Sequence, residues 1–136
     1  PKHGETGGAM LYLHGGAFCL GSSGTHRSIT TRLAVESGMS VSAPDYRLAP
    51  EHPYPAALHD ALACYDALRG QGYAAEKIVV AGDSAGGALA LALAWAVARE
   101  ALAALWTLSG GALLMLATPS AAVLVIFLAP LSAEVS

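Results

Sequence analysis

The chain has 136 residues, of which 54% are hydrophobic and only 12% charged, with a net charge of −3. That length supports one modest domain with a real core, while the charged share falls well below the ordinary figure of about 25%. The absence of any basic run excludes nucleic acid as a natural partner, and so apolar a composition implies elements covered on both sides or a portion of a larger unit.

Pro1 to Gly8 are polar and glycine-rich, without a positively charged segment leading into an apolar one. No secretory leader is therefore expected, and a cytoplasmic location is. Ala9 to Leu13 (AMLYL) reads as a short buried strand running into His14-Gly15-Gly16. A Gly/Ser loop at 21–24 follows, and Thr25 or Ser28 is expected to cap a helix ending at Ser37. In that helix Ile29 and Leu33 are four apart and Arg32–Glu36 has the spacing of a helical ion pair. Gly38 sits where a left-handed residue closes a helix. Met39 to Ala43 is a second strand, stopped by Pro44.

Tyr46 to Pro55 carries three prolines and must be loop. Pro55 can open the next helix, whose apolar face is Leu58, Ala61, Leu62, Tyr65 and Leu68, and Gly70 and Gly72 end it. Lys77 to Ala81 is a third strand. From Gly86 to Arg99 every face carries Ala, Leu, Trp or Val, so a helix enclosed on all sides is expected. The order β-α-β-α-β-α predicts an α/β fold, a parallel sheet of about four strands with helices on both faces. Cys19 and Cys64 lie far apart and outside any C-x-x-C, which predicts buried free thiols; no metal site and no cofactor is expected.

Ala101 to Ala133 contains no charged residue. One reading is a membrane-spanning helix over about 112–131, giving a membrane association through 101–131. Another makes Ala121 to Leu128 (AAVLVIFL) a fourth buried strand ended by Ala129-Pro130. A shifted reading frame would also produce such a run. Gly110-Gly111 and Pro119 favour the strand.

The chemistry concentrates at Gly82-Asp83-Ser84-Ala85-Gly86, between the third strand and the long Ala/Leu helix. A G-x-S-x-G turn in that context lifts its serine onto a sharp bend, and the flanking glycines let strand and helix approach without a Cβ between them. The helix N-terminus adds free N–H groups and a positive dipole end. Ser84 is the candidate nucleophile, and the Ala85 N–H is placed to donate to an oxyanion. About 70 residues upstream, His14-Gly15-Gly16-Ala17-Phe18 ends the first strand. An oxyanion hole needs two or three N–H groups converging on one point, and glycines let a loop expose them. Alone, this stretch reads equally as a plain glycine-rich turn; the serine turn beside it gives it the functional reading.

With these blocks goes Asp45 to Asp60 (DYRLAPEHPYPAALHD), and together, over about 10–100, they resemble the hormone-sensitive-lipase-like branch of the α/β-hydrolases, the GDXG lipolytic family. The resemblance implies a carboxylic ester hydrolase acting on a small-molecule ester, with Ser84 as nucleophile and the N–H groups of Gly15, Gly16, Ala17 and Ala85 as oxyanion donors. It makes His14 the organiser of the oxyanion loop, with Gly82, Asp83 and Gly86 supporting the serine turn. Ala17 replaces the family's third glycine, which a negative φ would tolerate. Asp45, Arg47, Glu51 and His52 are expected to organise their loop.

The departure concerns the triad, whose order in this fold is Ser, then Asp or Glu, then His. After Ser84 the chain has no histidine and no aspartate, only Glu100 and Glu134. His14 is expected to orient the loop rather than replace the base, and His26 and His59 are expected to be solvated. Residues 1–136 thus read as a single partial α/β-hydrolase domain, beginning near the family's third strand, with a motif-bearing core at 9–100 and an apolar segment at 101–136. Weak or absent hydrolysis is expected of it. The alternative is a non-catalytic remnant or interaction module, membrane-associated through 101–131 in one form.

Overall fold

Strand parity decides how this chain packs. The structure, a computed structural model, describes residues 7–108 and 124–128. In order they form β1 (Ala9–Leu13), α1 (Arg27–Ser37), β2 (Ser40–Ser42), α2 (Ala56–Gly70), a short 3-10 turn (Ala75–Lys77), β3 (Ile78–Asp83), α3 (Ala85–Leu108) and β4 (Leu124–Leu128). The strands make one parallel sheet in the order β2-β1-β3-β4. Parallel neighbours need long crossovers, and α1, α2 and α3 supply them.

Side chains alternate across a strand, so β1 sends Ala9, Leu11 and Leu13 to one face and Met10 and Tyr12 to the other. The first set joins Ile78 and Val80 of β3 in the main core, beneath Ala61, Tyr65 and Leu68 of α2 and Leu89, Ala90 and Leu93 of α3. The second set packs with Ala81, Leu33 of α1, Met39 and Val41. Leu11, Leu13 and Leu93 are fully buried, each contributing about 1.5–3 kcal/mol through removal from water. The same parity sends Asp83, two residues beyond Ala81, to the α1 face.

The helix after β3 crosses the sheet closely because two glycines let it. A Cβ on Gly82 would lie 2.5 Å from the Gly86 carbonyl, and one on Gly86 would overlap the Leu13 carbonyl oxygen and lie 2.6 Å from that of His14. These are backbone atoms of the strand ends, so neither can step aside.

Several expectations are corrected. The α3 helix is not enclosed on all sides: Leu89, Ala90 and Leu93 face the core, but Leu91, Trp95 and Leu102 are 50%, 72% and 64% exposed. Apolar residues around a helix reveal its composition, while burial depends on which neighbours exist to cover each side. Neither Thr25 nor Ser28 caps α1; His26 holds the cap position without a side-chain bond. Thr25 instead exchanges hydrogen bonds with Ser22 one turn earlier, Ser22 N–H to Thr25 Oγ1 at 3.0 Å and Thr25 N–H to Ser22 Oγ at 3.2 Å. Arg32 and Glu36 form no ion pair among the described residues, as expected of two exposed side chains with better hydration apart. Cys19 is exposed, carried outward by the turn that precedes it, and Cys64 is half-buried. Gly38 closes α1 at φ +66. Residues 124–128 are a strand paired with β3, which excludes a helix running through them; 109–123 and 129–136 lie outside the described residues.

Gly86→Ala is expected to destabilise the chain by about 3 kcal/mol or more in urea denaturation. Gly70→Ala, at the end of α2 where a Cβ meets nothing within 4 Å, should be neutral or stabilise by about 0.5–1 kcal/mol. Equal behaviour of the two variants would contradict the close helix–strand crossing.

Candidate active site

Ser84 sits between β3 and α3, exposed, at φ +49. A left-handed backbone is costly for serine, on the order of 1 kcal/mol, and turns the side chain off the strand line at the head of the helix. Ala85 opens α3, so its N–H has no acceptor within the helix.

The neighbouring loop is fixed peptide by peptide. In the His14–Gly15 unit, Tyr46 Oη donates to the His14 carbonyl at 2.5 Å, and the Gly15 N–H donates to Asp83 Oδ1 at 2.9 Å. In the Gly15–Gly16 unit, His14 Nδ1 lies 2.8 Å from the Gly15 carbonyl oxygen, the geometry of an Nδ1–H donor. In the Gly16–Ala17 unit, the carbonyl accepts from Cys19 N–H at 3.0 Å and Leu20 N–H at 2.9 Å. A trans peptide points its C=O and N–H in opposite directions. Holding the two carbonyls therefore aims the Gly16 and Ala17 N–H groups to the other side, and neither has a partner among the described residues.

This refines the donor set read from the sequence. Gly15 is removed from it, because its N–H is committed to Asp83. Gly16, Ala17 and Ala85 remain. Ala17 lies at φ +54 and Phe18 at φ +61, so the expectation of a negative φ at Ala17 fails. The bonds to the Gly16 carbonyl close a turn whose two central residues are both left-handed, as in a type I′ turn. The N–H at 17 is retained, at the cost of a strained backbone.

Asp83 is the hub beneath this loop. Its Oδ1 also accepts from Tyr12 Oη at 2.9 Å, and His26 Nε2 lies 3.5 Å away. The expectation of a solvated His26 is therefore corrected: its side chain is only 17% exposed. The His14 ring, itself 2% exposed, is stacked between Tyr46 at 4.3 Å and His26 at 5.6 Å between centroids. Burial, then the bond to Asp83 and its charge, push the Tyr12 phenol far above the usual range. Burial and the Asp83 charge push Tyr46 up to about 12. The sequence signals for Tyr12 and His26 were weak: strand parity places Tyr12 on the Asp83 face, and His26 precedes the helix on that face.

The loop that follows β2 is braced from outside. Asp45 accepts from the Ser23 N–H and hydroxyl, which hold its carboxyl below the usual range. Arg47 binds Asp60 through Nε and Nη2, holding that carboxyl low as well. Glu51 and His52 are exposed and make no side-chain hydrogen bond or ion pair among the described residues. His59 is exposed on α2. Between this loop, α2 and α3 lies a cavity of about 250 Å³, lined by Phe18, Ala49, Leu58, Ala88, Leu89 and Ala92 with Arg47, His52 and Tyr54. Phe18 belongs to the His14–Phe18 loop and Ala88 lies one helical turn beyond Ser84, so the cavity reaches both the loop and the first turn of α3.

The chain's relationships agree with this geometry. The profile of a family described as having the alpha/beta hydrolase fold matches residues 10–127. An esterase of Acinetobacter venetianus is 50% identical over 84 residues, 62% of this chain and 28% of that protein. The crystal structure of EstE5 soaked with p-nitrophenyl butyrate is 42% identical with a TM-score of 0.69, covering 74% of this chain and 34% of that one. An esterase from the bacterial hormone-sensitive lipase family is 40% identical with a TM-score of 0.68, covering 73% and 33% respectively. The chain belongs to the α/β-hydrolase fold family, in its hormone-sensitive-lipase-like branch. It spans about a third of the length of the relatives it matches.

The tyrosine burial gives a pH dependence. The folded state keeps the Tyr46 proton up to about 12, whereas the unfolded chain releases it near the ordinary value of 10.0. The unfolded state thus binds fewer protons in that window, so this contribution is complete below pH 10 and is lost as pH rises toward 12. Urea denaturation should show stability falling across this window by up to about 2 kcal/mol, with a shallower fall in Tyr46→Phe. Identical slopes in the two proteins would contradict the assignment.

Proposed function

We propose that the chain is the nucleophile-bearing part of a carboxylic ester hydrolase. Ser84 attacks the ester carbonyl, and the Gly16, Ala17 and Ala85 N–H groups receive the developing oxyanion. The observation that carries this reading is the exposed, left-handed Ser84 beside two loop N–H groups whose carbonyls are turned away. Donors fixed before reaction lose no reorganisation energy when charge develops, which is why such a site is effective. The adjoining apolar cavity suits the acyl part of a small ester, and esterases are the relatives that the chain matches.

Activation of Ser84 needs a base, and no histidine follows it in this sequence. Losing a triad base lowers the rate by several powers of ten and leaves only oxyanion and binding effects. The 136-residue chain should therefore hydrolyse p-nitrophenyl butyrate only slightly above background, and Ser84→Ala should lower what remains. Equal residual rates in the two proteins would remove Ser84 from the mechanism.

A second reading, an interaction module without catalysis, draws on the exposed Leu91, Trp95 and Leu102 of α3. Co-flotation of the chain with lipid vesicles, abolished by Trp95→Ser, would favour its membrane-associated form over a soluble hydrolase.

A further inference from the structure

We propose that His26 is a positioning residue for the oxyanion loop, acting through Asp83. The inference extends the hydrolase reading and rests on it for the purpose of the loop, but its geometry stands separately. Three groups converge on one oxygen, Asp83 Oδ1: the Tyr12 hydroxyl at 2.9 Å, the Gly15 N–H at 2.9 Å and His26 Nε2 at 3.5 Å. Tyr12 and Gly15 both belong to β1 and its exit. His26 alone comes from a separate element, at the head of α1 on the same face of the sheet, and so ties the carboxylate that meets Gly15 to that helix.

His26 is itself held. Its Nδ1 lies 2.9 Å from Thr25 Oγ1 and 3.3 Å from the Ser22 carbonyl, and Thr25 is locked to Ser22 by their reciprocal bonds. Its ring stacks on His14, whose Nδ1 fixes the next peptide of the loop. The imidazole thus touches the loop at two points, through the carboxylate that pins Gly15 and through the ring that pins the Gly15 carbonyl. The Thr25 hydroxyl donates to the Ser22 carbonyl at 2.8 Å, so both oxygens beside Nδ1 accept and Nδ1 carries a proton. A bare Nε2 lone pair against a carboxylate is unfavourable, so the role requires a second ring proton, on Nε2, facing Asp83. With that proton the carboxylate beside Ser84 is partly neutralised, which lowers its repulsion toward an oxyanion forming on the adjacent N–H groups.

The test reads the loop rather than catalysis, so a failure of the hydrolase reading and a failure of this one are distinguishable. In the 136-residue chain, amide hydrogen exchange at Gly15 is followed by NMR in wild type, His26→Leu and His26→Gln. Leu should speed Gly15 exchange about tenfold or more, the effect of weakening a charge-assisted bond, while Gln, which keeps an N–H donor, should restore most of the protection. Unchanged exchange in a folded His26→Leu, or equal exchange in the Leu and Gln variants, overturns the proposal. A second measurement needs no variant: the ring ¹⁵N shifts of wild-type His26 should report a protonated Nε2, and an Nδ1–H tautomer with bare Nε2 overturns it equally.

Discussion

The bond from the Gly15 N–H to Asp83 Oδ1 joins the C-terminal ends of the two central strands, and the candidate site depends on it. The two residues are 68 positions apart in sequence. The β1–β3 register brings them together, with Leu13 opposite Gly82. Once Gly15 is tied down, each following peptide can be oriented by its own carbonyl: the first by the His14 ring, the second by the turn at Cys19 and Leu20. The directions of the Gly16 and Ala17 N–H groups are then a consequence of carbonyl placement, since trans geometry leaves them no other.

Glycine contributes here through absent volume as much as through conformational freedom. A Cβ on Gly15 would collide with the Asp83 carboxylate, and one on Gly86 with the Leu13 carbonyl. Both contacts lie where the two strand ends, the His14–Phe18 loop and the head of α3 crowd together. Ala17 shows the opposite case: the position demands a left-handed backbone, yet open space lets a methyl remain. With Phe18 and Ser84, three non-glycine residues with positive φ thus cluster in this loop and the serine turn, and strain of this kind is commonly stored in functional sites.

Much of this was legible in the sequence, because local pattern and parity carried it. The alternation of AMLYL, the apolar face of α2 and the G-x-S-x-G context are short-range signals, and β1, α2 and the serine turn follow from them. What was not legible depends on partners far away in sequence. His26 lies 57 positions before Asp83 and carries no local mark of its pairing. The engagement of the Gly15 N–H and the positive φ at Ala17 both follow from where distant or neighbouring acceptors fall, which residue types alone leave open. The exposed side of α3 is of the same kind: its apolar residues are plain in the sequence, but the neighbours covering each face are not.

The central claim is that the tied loop and the head of α3 offer Gly16, Ala17 and Ala85 N–H groups to one anionic atom beside Ser84. Its most direct measurement is an amide NMR titration of the chain with butyrate, whose carboxylate stands for the oxyanion and whose chain enters the adjoining cavity. The account predicts that the Gly16, Ala17 and Ala85 amides move together along one saturation curve while Gly15, held by Asp83, stays nearly still. Movement of Gly15 as large as theirs, or independent curves for the three, would contradict it.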